Sequence, residues 1–383
     1  MPEKKILIID ADVASRNFIA RKLYEQKYEV IQAGSGKEGL IFAWRDHPDL
    51  VIVDPNITDI SGEEIASKLR NDARTSQTPL IALSGDSRVT RIKSCLDAGF
   101  NEYITKSGQA VSILNETINR LLGFTDETMK QGGLLIIFLS AKGGTGTSSM
   151  CANLAMNISQ YQPEARLVVA DLVLPIGSIA PIVGYAGPQN IVTITDMPPA
   201  ETTPAFFSRE LPEMGVWRFH LLAGSPDPES SNQLKVGRIW DVVTALKASY
   251  DYVFVDIGRS LSKITLPLIQ HADLVSLIIS TDTSTVSLTK TLCMYLNNKG
   301  VRSDSIYPIL NRAVGLEGLS KTDAEEMIGI KIMATMPYLG SNFAFANTHH
   351  QPFTLKFPKD TASIVFQDTA KEMAALAQKM RAE

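Results

Sequence analysis

Two groups of residues have the types and spacing for phosphate chemistry. The first is the stretch SAKGGTGTSS at residues 140–149. Gly143, Gly144 and Gly146 can take positive φ and let the backbone approach a ligand closely. The first N–H groups of a following helix carry partial positive charge that suits an anion. Ser148 stands where a hydroxyl reaches the Mg²⁺ of a bound nucleotide. The lysine that such a loop normally directs at the phosphates is missing, and Thr147 holds its place. The second group is Asp10 with Asp12, Asp54, Ser84 and Lys106. Carboxylates hold a hard cation, while a hydroxyl and an ammonium take phosphoryl oxygens, so their convergence makes a Mg²⁺ and phosphoryl site.

Such groups act only if the chain brings them to one place. KILIID, YEVIQA, DLVIVD, PLIALS and EYIT read as strands, with helical patterns at 14–26, 36–46, 62–71, 89–98 and 109–122 between them. Strands that are apolar throughout and alternate with helices form a parallel sheet covered on both faces, with ligands at the carboxyl ends of the strands. Those ends carry the second group. GFTDETMKQGG is polar and glycine-bounded and reads as a linker. A second series then follows: LLIIFLS, RLVVAD, FHLLAG, YVFVDI, LVSLIIS, SIYPILN and KIMATMP. The expected organisation is a domain at 1–122, a linker at 123–133 and a domain at 134–383, both doubly wound α/β.

The 383 residues are 44% hydrophobic and 20% charged, with a formal net charge of −4. That balance does not describe a protein coated with positive charge to grip DNA. No helix-turn-helix or basic recognition helix is evident, so no sequence-specific nucleic-acid partner is expected. The opening residues lack a signal core, and the apolar runs fall short of the ~20 residues that span a bilayer. Cys95, Cys151 and Cys293 are far apart and read as small buried apolar residues of a reducing, cytoplasmic environment. His349 and His350 lack partners at metal-ligand spacing. ASIVFQDTAKEMAALAQKMRAE reads as a final helix packed on a sheet, with an amphipathic membrane-surface helix as the alternative.

Residues 3–122 resemble response-regulator receiver domains. ILIIDADVASR matches their acidic first loop, PDLVIVDPNITDISG their phosphoacceptor strand, LIALSGD the hydroxyl position and NEYITKS the lysine. The resemblance implies Asp54 as acceptor and Tyr103 in the aromatic switch position. The family usually has two adjacent acids after the first strand, the second a direct metal ligand, and here that position is Ala11. Ser107 stands where a proline usually follows the lysine. Weak Mg²⁺ binding is therefore expected, and with it a receiver kept for docking or dimerisation rather than phosphorylation. Phosphorylation at Asp54 controlling the second domain is the alternative.

KGGTGTSS resembles the deviant Walker A motif, KGGxGK[ST][ST], of the MinD/ParA superfamily, and the likeness continues to the end of the chain. It implies Lys142, Gly143, Gly144, Thr145, Gly146, Thr147, Ser148 and Ser149 around a nucleotide, with Lys142 reaching a partner subunit's nucleotide in a sandwich dimer. RLVVADLVLPIGSIAPIVG resembles switch I and SYDYVFVDIGRSLS resembles Walker B with switch II. They imply Asp171 and Asp256 with Ser148 at Mg²⁺. YPILNRA and MPYLG imply Asn311, Arg312 and the loop from Met336 beside the adenine. Val173 replaces the switch I acid that positions water, and Ile257-Gly258-Arg259 replaces the usual proline-containing turn. ATP with Mg²⁺ is expected to bind and to be hydrolysed slowly or not at all.

A receiver-like module ahead of a MinD/ParA-like domain, with the P-loop lysine lost, is similar to the TadZ/CpaE branch. That resemblance implies a cytoplasmic, ATP-bridged homodimer concentrated at a cell pole or pilus assembly site. Its partners would be the pilus and secretion proteins of the Tad (Flp-type) system, and any membrane association would be peripheral, through them. An active positioning ATPase on membrane or nucleoid is the alternative.

Overall fold

A computed structural model describes residues 4–382 apart from 27, 77, 109, 123–130, 263 and 314–317. The chain divides into two compact units, Met1–Thr125 and Asp126–Glu383. Of the linker expected at 123–133, residues 123–130 lie outside those described. Gly132 and Gly133 already belong to the second unit, where the Gly133 N–H donates to the Lys247 carbonyl at 2.7 Å.

Among the described residues the first unit has five parallel strands: β1 (Lys5–Ile9), β2 (Glu29–Ala33), β3 (Leu50–Val53), β4 (Leu80–Ser84) and β5 (Glu102–Thr105). Their order is β2-β1-β3-β4-β5. Helices α1 (Val13–Tyr24), α2 (Gly36–Asp46), α3 (Gly62–Asn71), α4 (Val89–Asp97) and α5 (Ala110–Leu122) connect and flank them. Side chains alternate across a strand, so Ile6 and Ile8 enter one apolar core and Leu7 and Ile9 the other. Both faces are covered, which is why these strands show no polar alternation. Asp12, Ser35 and Ser61 cap α1, α2 and α3 by accepting from first-turn N–H groups. The strand order reverses at β1, and a crevice opens at the carboxyl end of such a strand.

Among the described residues the second unit has eight strands: β6 (Leu134–Leu139), β7 (Leu167–Asp171), β8 (Glu213–Met214), β9 (Phe219–Leu222), β10 (Tyr252–Asp256), β11 (Leu274–Ser280), β12 (Ile306–Ala313) and β13 (Ala334–Pro337). Their order is β13-β12-β11-β6-β10-β7-β9-β8. All neighbours pair in parallel except β8, a two-residue antiparallel edge beside β9 that the sequence pattern did not show. The chain leaves β6 toward β7 and later returns to its other side through β11, so β6 is the switch point. The helix Thr147–Tyr161 follows it and is almost wholly buried. The final helix, Thr361–Ala382, packs on the sheet and that helix, with Phe366, Ala370, Met373 and Ala377 in the core. Burying a Phe or Met side chain contributes about 1.5–3 kcal/mol. Its main apolar face is thus covered by its own domain, although Ile364 stays 57% exposed. Among the described residues no helix is long and apolar enough to cross a membrane. Cys95, Cys151 and Cys293 are all buried.

Candidate functional site

In the first unit, register brings the acids together. Ile9 pairs with Val53, so Asp10 and Asp54 leave adjacent strands at the same level. Lys106 enters from the end of β5, its N–H bonded to the Ser84 carbonyl at 2.7 Å. Its Nζ bridges Asp10 Oδ2 at 2.9 Å and Asp54 Oδ2 at 2.7 Å. Burial works against this ammonium, but the two carboxylates outweigh it and hold the pKa above the usual lysine value. The other groups are directed elsewhere. Asp12 turns back to cap α1, accepting from the N–H groups of Ala14 and Ser15. Ser84 Oγ accepts from Asn56 Nδ2 at 2.9 Å. The Tyr103 hydroxyl donates to the Asp86 carbonyl at 2.6 Å. The structure therefore joins Asp10, Asp54 and Lys106 and leaves Asp12 outside the cluster. With Ala11 apolar, two carboxylates already share one ammonium, and this donor set does not fit a Mg²⁺ ion well.

In the second unit the glycine loop lies between β6 and the helix Thr147–Tyr161. Gly144 and Gly146 have φ of 81° and 91°, a region open to glycine. A Cβ on Gly143 or Gly144 would meet nothing within 4 Å, so the loop presents bare backbone to open space. The N-cap of the helix that begins here is Gly146, which has no side chain to cap it. Its first residues, Thr147, Ser148 and Ser149, line a cavity of about 600 Å³. Gly143, Gly144, Thr147 and Ser148 line one side, and Val173, Leu174 and Ile182 supply apolar surface.

Behind the loop lie two buried acids. Asp256 pairs with Asp171 across β10 and β7, which puts both carboxylates at one level on one face. Asp256 Oδ1 accepts from the Gly258 N–H at 2.9 Å, while Oδ2 is buried without a hydrogen-bond partner among the described residues. Burial and the Asp171 charge raise the pKa of Asp256, and the Ser148 hydroxyl and Gly258 N–H pull the other way. A buried carboxylate whose oxygens are short of donors among the described residues, beside a serine hydroxyl, is an arrangement that a divalent cation completes.

Several of the expected site residues have partners within the folded chain. Asp171 was expected at Mg²⁺ beside Ser148 and Asp256. Its Oδ1 instead accepts from Val173 N–H, and its Oδ2 from Ser178 and Ile179 N–H. It braces the turn that carries Val173. Burial still raises its pKa, against those three donors. Lys142 does not line the cavity. Its Nζ donates to Ser284 Oγ at 2.9 Å and pairs with Asp282 at 3.2 Å within the same chain. Thr147 is buried, its Oγ1 2.9 Å from Thr145 Oγ1. Asn311 is also buried and holds the loop: its Nδ2 donates to the Thr145 carbonyl at 2.7 Å, and its Oδ1 accepts from the Arg312 N–H.

A second cavity, of about 460 Å³, shares Gly146 and Ser149 with the first. Asn311, Arg312 and residues of the MPYLG segment line it. Phe343 and Asn347 also do so, and sequence reading missed them. Their i, i+4 spacing on the helix Gly340–Thr348 was the available signal. Two adjoining cavities meeting at the glycine loop have the layout for a ligand with an anionic end and a flat end.

Residues 6–117 match the family model of the response regulator receiver domain. Over 115 residues the chain is 30% identical to the CAI-1 autoinducer sensor kinase/phosphatase CqsS of Vibrio cholerae, which covers 30% of this chain and only 17% of that protein. Over 106 residues it is 26% identical to the two-component response regulator ORR3 of Oryza sativa subsp. indica, covering 27% of this chain and 81% of the other. A ParA family ATPase from Chlorobium tepidum matches 62% of this chain over 98% of its own, at 22% identity and a TM-score of 0.58. The septum site-determining protein MinD of Pyrococcus horikoshii, complexed with Mg-ADP, matches 65% over 98%, at 18% identity and a TM-score of 0.55. The two units therefore have a receiver-like fold and a MinD/ParA-like P-loop fold.

Proposed function

We propose that the second unit binds ATP with Mg²⁺ and holds it with little or no hydrolysis, so that the chain works as a nucleotide-held scaffold. The observation that carries this reading is the buried, partnerless Asp256 Oδ2 beside Ser148, directly behind an uncapped helix start and a bare glycine loop. Ser148 and Asp256 would hold Mg²⁺, which neutralises charge on the phosphate oxygens. The second cavity, with Arg312, Tyr338 and Phe343, is suited to the base. Slow turnover follows from the apolar residues that line the same cavity. No carboxylate lines the first cavity among the described residues, and Val173 occupies the place expected to position water. An alkyl group can neither orient nor deprotonate water.

The proposed assembly is a homodimer closed over the nucleotide. Leu174, Ile176 and Leu261, in the two loops that line the cavity, are 38%, 50% and 40% exposed, and apolar surface so placed suits a covering partner. The receiver-like unit serves as a docking module, because Lys106 already bridges Asp10 and Asp54 and offsets one of their two charges. The partners proposed are the pilus and secretion proteins of the Tad (Flp-type) system, at a pole or assembly site. That cellular role rests on domain order and the lost lysine.

The test is equilibrium titration of the full chain with a fluorescent ATP analogue, with Mg²⁺ and with EDTA, alongside phosphate release. Mg²⁺-dependent binding with no turnover above background is expected. Absence of binding overturns the reading of the loop, and turnover typical of enzymes, about 1 s⁻¹ or more, overturns the scaffold.

A further inference from the structure

A triphosphate entering the first cavity meets a shortage of positive charge. Thr147 stands in place of the P-loop lysine, and Lys142 is tied to Asp282 and Ser284. Arg312 lines the other cavity. Asp171 and Asp256, both buried, lie behind the loop. Among the described residues lining the first cavity, one side chain carries charge, and it is Arg259.

Its setting differs from that of an ordinary solvated arginine. The backbone on both sides is pinned: the Gly258 N–H donates to Asp256 Oδ1 at 2.9 Å, and the Gly258 carbonyl accepts from the Ser140 N–H at 2.8 Å. The Ser260 N–H donates to the Ile257 carbonyl at 3.0 Å. Gly258, with φ of 58°, makes the sharp turn that sends the next residue to the cavity rim. The Arg259 side chain is exposed, and no hydrogen bond or ion pair joins it to another described residue. The pinned backbone spares the ordering of the loop when a ligand arrives, and the side chain alone gives up rotamer freedom. A guanidinium presents a planar fork that matches two phosphate oxygens.

We propose that Arg259 grips the terminal phosphates of the nucleotide from within the same chain, replacing the charge lost at Thr147. The inference rests on the glycine loop being a phosphate cradle, and it assigns the residue that makes that cradle selective for polyphosphates. The loss of one lysine and the arginine after Walker B are then two sides of a single exchange.

The experiment titrates ATP and AMP, each with Mg²⁺, into the full chain carrying Arg259→Ala or Arg259→Lys. Arg209→Ala serves as control, because Arg209 pairs with Glu210 on the surface. Arg259→Ala is expected to weaken ATP about 10- to 100-fold, the range of a lost charge-assisted hydrogen bond. AMP should change less than about twofold, because it lacks the terminal phosphates, and Arg259→Lys should recover part of the ATP affinity. ATP binding by Arg259→Ala at the affinity of the unsubstituted chain overturns the inference and leaves the nucleotide reading standing. Equal weakening of ATP and AMP also overturns it. No ATP binding by the unsubstituted chain removes the nucleotide reading itself, and this inference with it.

Discussion

Restoring the missing lysine separates binding from chemistry at this site. The perturbation is Thr147→Lys. Thr147 is 6% exposed, and its hydroxyl pairs with that of Thr145 at 2.9 Å. Losing that bond costs about 1 kcal/mol of stability. The adjoining cavity of about 600 Å³ gives the longer stem room. An ammonium on a phosphate oxygen contributes about 1.5–3 kcal/mol, or roughly 10- to 150-fold in affinity. In the unliganded protein the same ammonium is drawn toward the buried Asp256 and Asp171, which offsets part of the gain. A tightening of about tenfold is therefore expected in a titration with a fluorescent ATP analogue at fixed Mg²⁺. Phosphate release should stay at background, because Val173, Leu174 and Ile182 still face the site. Unchanged affinity would mean that position 147 does not look at phosphate. Turnover from Thr147→Lys alone would mean that Val173 is not what prevents hydrolysis.

Two further outcomes follow from the same geometry. Lys247 is 2% exposed, bonds the Gly133 carbonyl at 2.7 Å, and has its pKa lowered to about 8 by burial, against the pull of Asp273. Between that value and 10.5 the unfolded chain holds more protons than the folded one, so stability from this group rises with pH through that window. The difference in unfolding free energy between the unsubstituted chain and Lys247→Met, read by urea denaturation at pH 7.5, 9 and 10, should grow by on the order of 2–3 kcal/mol; a flat difference refutes this. In the receiver-like unit, beryllofluoride with millimolar Mg²⁺ should leave the thermal midpoint unchanged, and Ala11→Asp should make it respond. A response before that substitution would show that Asp10 and Asp54 suffice for the metal despite Lys106.

Local chemistry made much of this protein legible before folding. Ile, Val and Leu runs marked the parallel strands because a strand buried on both faces cannot alternate. Glycines marked the cradle because its backbone needs positive φ at Gly144 and Gly146. Strand-end acids pointed to both sites because parallel sheets place ligands at carboxyl ends. Which atoms stay open for a ligand depended on partners far along the chain. Lys142 is claimed by Asp282, 140 residues away, and Asn311 by the Thr145 carbonyl, 166 residues away. Asp171 is claimed by its own loop, which the Gly177 N–H also docks on the distant Ser225 carbonyl at 2.8 Å. A motif states which groups are present near a site. Hydrogen-bond capacity is finite, and only the tertiary structure decided where each group spends it: Lys142, Asp171 and Asn311 on the protein itself, and Asp256 Oδ2 on nothing, behind a cavity that Arg259 overlooks.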